Sequence, residues 1–195
     1  MWAMSRLQPV TPDAATAEQL EVWNSIVATR GSADALTAAD GGLMGPFNAM
    51  VSSPVVGRQI ASLGAAVRRK SSLPENLLEL AICTTGAHWR ANFEWWAHRR
   101  LALQAGVGDD VLDCIERGES PRFADDAEAA VYGFASEMLS SGRVSDDAWS
   151  AARQHLEEQQ VIDLVSTVGY YCLISCMLNA YQAPLPQGAE PVWPY

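Results

Sequence analysis

The stretch Leu73–Val107 decides the fold, and it reads LPENLLELAICTTGAHWRANFEWWAHRRLALQAGV. Pro74 stands where proline suits a helix, in the first turn, because its missing N–H is not needed there. The pattern therefore predicts a helix from Pro74 to about His88. A second helix is predicted over residues 90–105 and ends at Gly106, since glycine is favoured just past a helix. Alternation typical of strands is almost absent, so the sequence predicts an all-α fold.

Similar caps and breakers predict about eight helices within one domain spanning residues 1–195. The remaining six are predicted from Thr11 to about Thr29, over 53–70, 108–117 and 123–141, from Ser145 onwards, and over 159–182. Residues 30–46 are rich in glycine and small residues, so we expect a flexible loop there. The segment 184–195 carries four prolines and is expected to be an extended tail, with Trp193 and Tyr195 holding it in a surface groove.

The composition excludes several classes of partner. The 195 residues are 49% hydrophobic and carry a net charge of −10, so nucleic acids and anionic membrane surfaces are not expected to bind. The longest apolar segment, 161–181, contains Asp163 and several small residues, and it indicates a buried core helix or an oligomer interface. The N-terminus lacks a basic region followed by an apolar one, so we expect a cytoplasmic protein.

The four cysteines do not form a C-x-x-C pair. Cys83 and Cys114 are isolated, and a disulfide framework is not expected in a cytosolic chain of this length. Cys172 and Cys176 are four residues apart, so they share one face of a helix. We expect both to be small buried side chains, with a redox or metal pair as the alternative.

His98 follows Glu94 by four residues, which places imidazole and carboxylate on one helix face about one turn apart. Phe93, Trp95 and Trp96 would surround the pair with aromatic surface. Apolar surroundings disfavour a charged carboxylate, whereas a neighbouring carboxylate favours a protonated imidazole. A pair in such surroundings can deliver or remove protons near neutral pH, so both residues are candidate catalytic groups.

Glu79 interrupts the apolar run LLELAIC, which begins at Leu77. Burying an acid is costly unless it has a partner, so a buried Glu79 facing Glu94 and His98 would form a proton relay. Other interpretations stay open from spacing alone. Glu94 and His98 would then be an ordinary surface pair, Glu79 an exposed residue and the tryptophans core residues. A metal held by the three is a further alternative, but the spacing is not H-E-x-x-H, and no metal or cofactor is predicted.

Several segments together resemble the carboxymuconolactone decarboxylase family, whose superfamily also contains the AhpD-type alkylhydroperoxidases. They are GPFNAM from Gly45, LPENLLELAI from Leu73, ANFEWWAHRRLALQAGV from Ala91 and, more loosely, GYYCLISCMLNAYQAPLP from Gly169. Within the third segment, residues 94–106 follow the pattern E-W-x-x-H-x-x-x-A-x-x-x-G. The similarity covers well over half of the chain.

The resemblance implies an all-α AhpD-like fold that forms a homo-oligomer, as a trimer, dimer or hexamer. In the peroxidase branch a glutamate, a C-x-x-C pair and a histidine form the relay. Glu79 and His98 match that glutamate and that histidine, while the cysteine positions fall on Ala91 and Glu94. Without the thiols there is no nucleophile for peroxide reduction. The resemblance therefore implies the branch that uses acid–base chemistry without a cofactor.

We accordingly predict a carboxy-lyase type of enzyme that decarboxylates or isomerises a small carboxylated or lactone-type metabolite. His98 would be the general acid/base, Glu94 its orienting partner and Glu79 a second relay or positioning group. The substrate is expected to contact Trp89, Arg90, Phe93 and Trp95. One alternative is a non-catalytic ligand-binding or interaction module on the same fold. A second is an AhpD-like thiol peroxidase, which the missing C-x-x-C pair disfavours.

Overall fold

The structure is a computed structural model that describes residues 5–194. The regular structure of these residues is helical, and the expected all-α class is confirmed. An isolated antiparallel bridge joins Thr37 to Leu43. The ten helices are α1 (Ala17–Arg30), α2 (Ala33–Leu36), α3 (Phe47–Ser52), α4 (Pro54–Lys70), α5 (Glu75–His88), α6 (Asn92–Ala105), α7 (Asp109–Glu116), α8 (Asp126–Ser141), α9 (Asp146–His155) and α10 (Glu158–Tyr181).

The N-terminal third differs from the sequence prediction in the start of its first helix and in having two additional short helices. The prediction that the first helix begins at Thr11 is wrong, because a capping box starts α1 later. The Thr16 hydroxyl accepts a hydrogen bond from the Gln19 backbone N–H, and the Gln19 side chain accepts one from the Thr16 N–H. The segment expected as a loop over 30–46 contains the short helix α2, and α3 precedes α4 as a separate helix.

The first of two compact units consists of residues 5–70 and 177–190. In it, α1 packs against α3 and α4, and α3 packs against α4. Gly57 lies where α3 and α4 meet, and a Cβ atom at this position would overlap the carbonyl oxygen of Met50. The close approach of these two helices therefore requires glycine at position 57.

The second compact unit consists of residues 71–176 and 191–194. Its central helix is α5, which packs against α6, α7 and α8. Every residue from Leu77 to Gly86 is buried, so this helix is surrounded on all sides by other parts of the unit. The core beside it contains, from α5, α6 and the segment around α7, Leu80, Cys83, Trp95, Ala102, Val107, Val111, Leu112 and Ile115.

Helix α10 is the one described helix that is long and apolar enough to cross a membrane, with a mean hydropathy of 1.7. Half of that segment is buried inside the protein, and the core helix of a soluble protein meets the same criteria, so this is weak evidence for a span. Its exposed side includes Ile162, Val165 and Leu173. Helix α10 is thus buried on one side and exposed on the other, and its role as an oligomer interface stays a prediction.

The C-terminal tail is tied to the second unit by Asn92. The backbone N–H groups of Val192 and Trp193 both donate to its side-chain oxygen at 2.9 Å. Its side-chain amide donates to the Trp193 carbonyl, also at 2.9 Å. The Trp193 ring lies edge-on against Trp95, with centroids 5.4 Å apart. Trp193 thus has the anchoring position expected for it, while Tyr195 lies outside the described residues.

Candidate active site

Glu79 lies in the middle of α5, and its side chain has no exposed surface. Its neighbours along the helix, Leu78 and Leu80, are buried as well. A carboxylate in such surroundings is stable only with polar partners, because it loses its hydration shell. The position of Glu79 is therefore accounted for by what its carboxylate contacts.

His98 on α6 supplies the contact. Its Nδ1 atom lies 2.8 Å from Glu79 Oε2. The opposite ring nitrogen, Nε2, lies 3.3 Å from Glu94 Oε2 and 3.4 Å from the hydroxyl of Tyr171. The Tyr171 ring also stands nearly perpendicular to the imidazole, with centroids 5.1 Å apart. The imidazole is thus held from both sides, and 11% of the side chain remains exposed.

Glu94 is in the first turn of α6, where the partial positive charge of the helix N-terminus favours a carboxylate. It is 4% exposed, so the pair with His98 faces inward. An ordinary surface pair and an exposed Glu79, both open from spacing alone, are excluded by this burial. The structure brings together Glu79, Glu94 and His98, which are called the relay trio below.

The relay trio contains three groups that can each carry a proton. A neutral imidazole has one N–H donor and one acceptor nitrogen, whereas an imidazolium has two donors. Two ionised carboxylates on opposite nitrogens require the imidazolium. Alternatively, a neutral ring donates from Nδ1 to Glu79, while Nε2 accepts from the Tyr171 hydroxyl or from a protonated Glu94. Because each contact can switch the direction of its hydrogen bond, the trio is suited to moving a proton over a short distance.

The four residues predicted to contact substrate lie in different surroundings. Trp95 lies in the core and its indole N–H donates to Glu116 at 2.8 Å. Phe93 is buried and packs against Trp96. Trp89 and Arg90 are both exposed, and Arg90 has a backbone φ of 49°. Substrate contacts by Trp89, Arg90, Phe93 and Trp95 stay predictions.

Arg99, which follows His98 on α6, pairs with carboxylates of α7. Its guanidinium donates to Asp109 at 2.6 Å and to Asp113 at 2.7 Å. Partial burial lowers the pKa of Arg99, but the hydrogen bonds and negative charges of the two aspartates outweigh it and leave the pKa raised. Arg99 therefore stabilises the start of α7 against α6.

Tyr171 is the site residue that sequence reasoning missed. It is 4% exposed and lies on α10, 73 positions after His98. Nothing in its local sequence separates it from a core tyrosine, since it sits within the apolar segment GYYCLISC. The looser resemblance around Gly169 was the one signal that pointed to this part of the chain.

All four cysteines lie within residues 5–194, and none of them forms a disulfide bond there. The prediction that Cys172 and Cys176 are both buried is wrong, because they lie on the partly exposed side of α10, where Cys172 is partly buried and Cys176 exposed. Burial, the largest cause, raises the pKa of the Cys172 thiol; a hydrogen bond with Trp89 lowers it and the nearby Cys176 raises it further. A thiol with a raised pKa is a poor nucleophile at neutral pH.

Among residues 5–194, no group of three or more His, Cys, Asp or Glu side chains is arranged to hold a metal ion. In the relay trio, His98 uses both ring nitrogens in contacts with protein oxygens.

Comparison with solved structures places the chain among AhpD-like folds. A protein of unknown function from Agrobacterium tumefaciens, described as a candidate AhpD antioxidant defence protein, matches with a TM-score of 0.63 and 16% identity. The match covers 71% of this chain and 96% of that one. No protein-family model matches the sequence, and no curated protein matches it.

The debrominase Bmp8 is also similar. Its apo structure matches with a TM-score of 0.68 and 13% identity, over 92% of this chain and 91% of that one. A cysteine-to-alanine variant of Bmp8 in complex with 2,3,4-tribromopyrrole matches with a TM-score of 0.67 and 13% identity, over 94% and 92%. The expected AhpD-like fold is confirmed, and one of its solved examples is an enzyme. Fold alone does not determine the reaction.

Proposed function

We propose that the protein is a cofactor-independent acid–base enzyme in which His98 transfers a proton to or from carbon in a small organic substrate. The observation that carries this proposal is the imidazole of His98 held between two buried carboxylates, with Glu79 2.8 Å from Nδ1 and Glu94 3.3 Å from Nε2. Acid–base catalysis needs a group that is fixed in position and can both give and take a proton, and an imidazole held at both ring nitrogens provides one nitrogen for each role.

The roles follow from the geometry. Glu79 fixes the ring orientation through Nδ1 and stabilises the imidazolium when it forms. Glu94 and Tyr171 both approach Nε2, and their contacts are longer than the contact of Glu79. The longer contacts are the ones that a substrate atom would replace, so Nε2 is the nitrogen that exchanges the proton.

In a decarboxylation, the bond between the substrate carbon and its carboxylate breaks, carbon dioxide leaves, and the electron pair forms an enolate. The imidazolium of His98 then gives its Nε2 proton to carbon and is reprotonated from water or through Glu94. In an isomerisation, His98 takes a proton from one carbon and returns it to another, so the balance of protons is unchanged. Both reactions require the same site and no thiol.

The charges around the trio disfavour substrates that carry more than one negative charge. The two carboxylates already repel an incoming anion, and Arg99 is held by two aspartates. A lactone or a substrate with a single carboxylate fits this site better than a diacid, because the imidazolium is the one positive group in the trio itself.

The test is a panel of small lactones, β-keto acids and monocarboxylic enol precursors, incubated with the protein in D2O and followed by NMR. We expect deuterium at one carbon of a product or recovered substrate. The expected incorporation disappears in His98→Gln and persists in His155→Gln, which changes an exposed histidine of α9. If His98→Gln incorporates deuterium as fast as the unmodified protein, His98 does not transfer the proton.

The exposed apolar residues of α10, which include Ile162, Val165 and Leu173, support a further part of the proposal. Apolar side chains on one exposed helix face favour association between copies, so we propose a homo-oligomer. We propose a cytoplasmic location separately, from the sequence of the N-terminus. Light scattering coupled to size exclusion gives its mass directly. A monomeric mass at micromolar concentration contradicts the oligomer without bearing on the chemistry of His98.

A further inference from the structure

We infer that the first unit contains a second binding site, for an uncharged and largely apolar small molecule. A cavity of about 690 Å³ lies entirely within this unit and includes none of the relay trio. This volume falls inside the range of roughly 300–1,000 Å³ that is typical of sites for small organic ligands. The inference does not depend on the chemistry proposed for His98.

The wall of the cavity is formed by three segments without regular helix, by Asn48 and Ala49 of α3 and by the end of α10. The segments are residues 5–9, 37–46 and 183–188, and α10 contributes Met177 and Tyr181. Much of the lining is apolar, including Leu7, Pro9, Leu43, Met44, Pro46, Leu178, Leu185 and Pro186. Methionine side chains adapt to irregular ligand shapes, so Met44 and Met177 suit a cavity that receives a flexible or planar apolar molecule.

Polar side chains in the wall are mostly used within the protein. The Asn48 side chain accepts from the Val10 N–H and donates to the Gln8 carbonyl, both at 2.9 Å. The Asp40 carboxylate accepts from the Gly42 N–H at 3.0 Å. Because these groups already have partners, a strongly polar ligand would lose more hydrogen bonds to water than it gains. Tyr181 and Gln187 supply the polar groups that would orient the ligand.

The charge of the wall distinguishes ligand classes further. Of the residues described as lining the cavity, Asp40 is the only charged one. Asp40 is exposed, so its repulsion of an anionic ligand is partly screened by water, but the wall offers such a ligand no cation to pair with. The cavity therefore selects against the carboxylated compounds proposed as substrates of the relay trio.

The experiment titrates the full chain with N-phenylnaphthylamine, a neutral apolar dye whose fluorescence rises in apolar surroundings. We expect saturable binding at micromolar concentration. In Ala38→Trp and Met177→Trp, a bulky ring occupies the cavity, and the affinity is expected to fall at least tenfold. The matched control is Ala35→Trp on α2, whose side chain is exposed and outside the cavity.

A second titration uses anilinonaphthalene sulfonate, which has nearly the same rings plus a negative charge. We expect it to bind at least tenfold more weakly than the neutral dye, and Asp40→Asn to reduce that difference. No saturable binding of the neutral dye, or binding that both cavity-filling variants leave unchanged, overturns the site. Equal affinity for the two dyes overturns the ligand class. Since proton transfer by His98 is measured separately, either failure is distinguishable from failure of the proposed function.

Discussion

The contact between Glu79 and His98 predicts a large energetic coupling, which a double-mutant cycle measures. The perturbations are Glu79→Leu, His98→Leu and the double variant. Glu79 has no exposed surface and 11% of the His98 side chain is exposed, so the 2.8 Å contact lies in a weakly screened environment. Removing one member of a buried pair leaves an uncompensated polar group, so the double variant should lose less free energy of unfolding than the sum of the two single variants, and the difference is the coupling free energy.

We expect a coupling free energy of about 1–3 kcal/mol, the range for directly contacting residues in one network. The assay is urea unfolding followed by far-UV circular dichroism for each variant. The matched control is Arg58 and Glu21, whose atoms are 2.7 Å apart but whose side chains are 51% and 63% exposed. For this pair we expect a coupling of about 0.2–1 kcal/mol. A coupling for Glu79 and His98 no larger than that of the exposed pair refutes the reasoning.

Three further predictions concern the fold and the thiols. Gly57→Ala should lower the free energy of unfolding by about 3 kcal/mol or more, because the added Cβ has no room. The control is Gly133→Ala on α8, where a Cβ meets open space, and this change should raise the free energy of unfolding by up to about 1 kcal/mol. Equal effects of the two changes in urea unfolding contradict the packing described. The raised pKa of Cys172 leaves less thiolate at pH 8, so iodoacetamide should modify it more slowly than exposed Cys176, as read by peptide mass spectrometry; a faster reaction at Cys172 contradicts its burial. Asn92→Ala removes three hydrogen bonds to the C-terminal tail and should lower the free energy of unfolding by about 1.5–4 kcal/mol. We also expect proteases to cleave the tail faster in this variant. An unchanged rate of cleavage contradicts the anchoring.

Much of the helical fold could be predicted from local signals. Pro74 marks the start of α5 and Gly106 the end of α6, because proline and glycine act through the backbone of a few neighbouring residues. Local signals failed where two of them competed. Thr11-Pro12 and Thr16 are both capping signals near α1, and the reciprocal bonds with Gln19 decide for the second.

The part of the site that depends on local helix geometry could also be predicted from the sequence. Glu94 and His98 are four residues apart, so helix geometry alone places them together. Glu79 was marked by its position inside an apolar run, but its contact with His98 could not be derived from spacing, because the packing of α5 against α6 is not visible in either segment. Tyr171 lies in a distant apolar helix, and tertiary packing alone brings its hydroxyl to His98. The exposure of Cys176 was missed because an apolar helix does not reveal which of its faces is covered.

The most direct test of the central claim is the value of kcat/KM for His98→Gln on a substrate identified by deuterium incorporation. General acid–base catalysis contributes about 10²–10⁴-fold, so the account predicts a loss of that size while the far-UV spectrum stays that of the unmodified protein. A His98→Gln protein that is folded and keeps the full kcat/KM would contradict the assignment of His98 as the proton-transferring group.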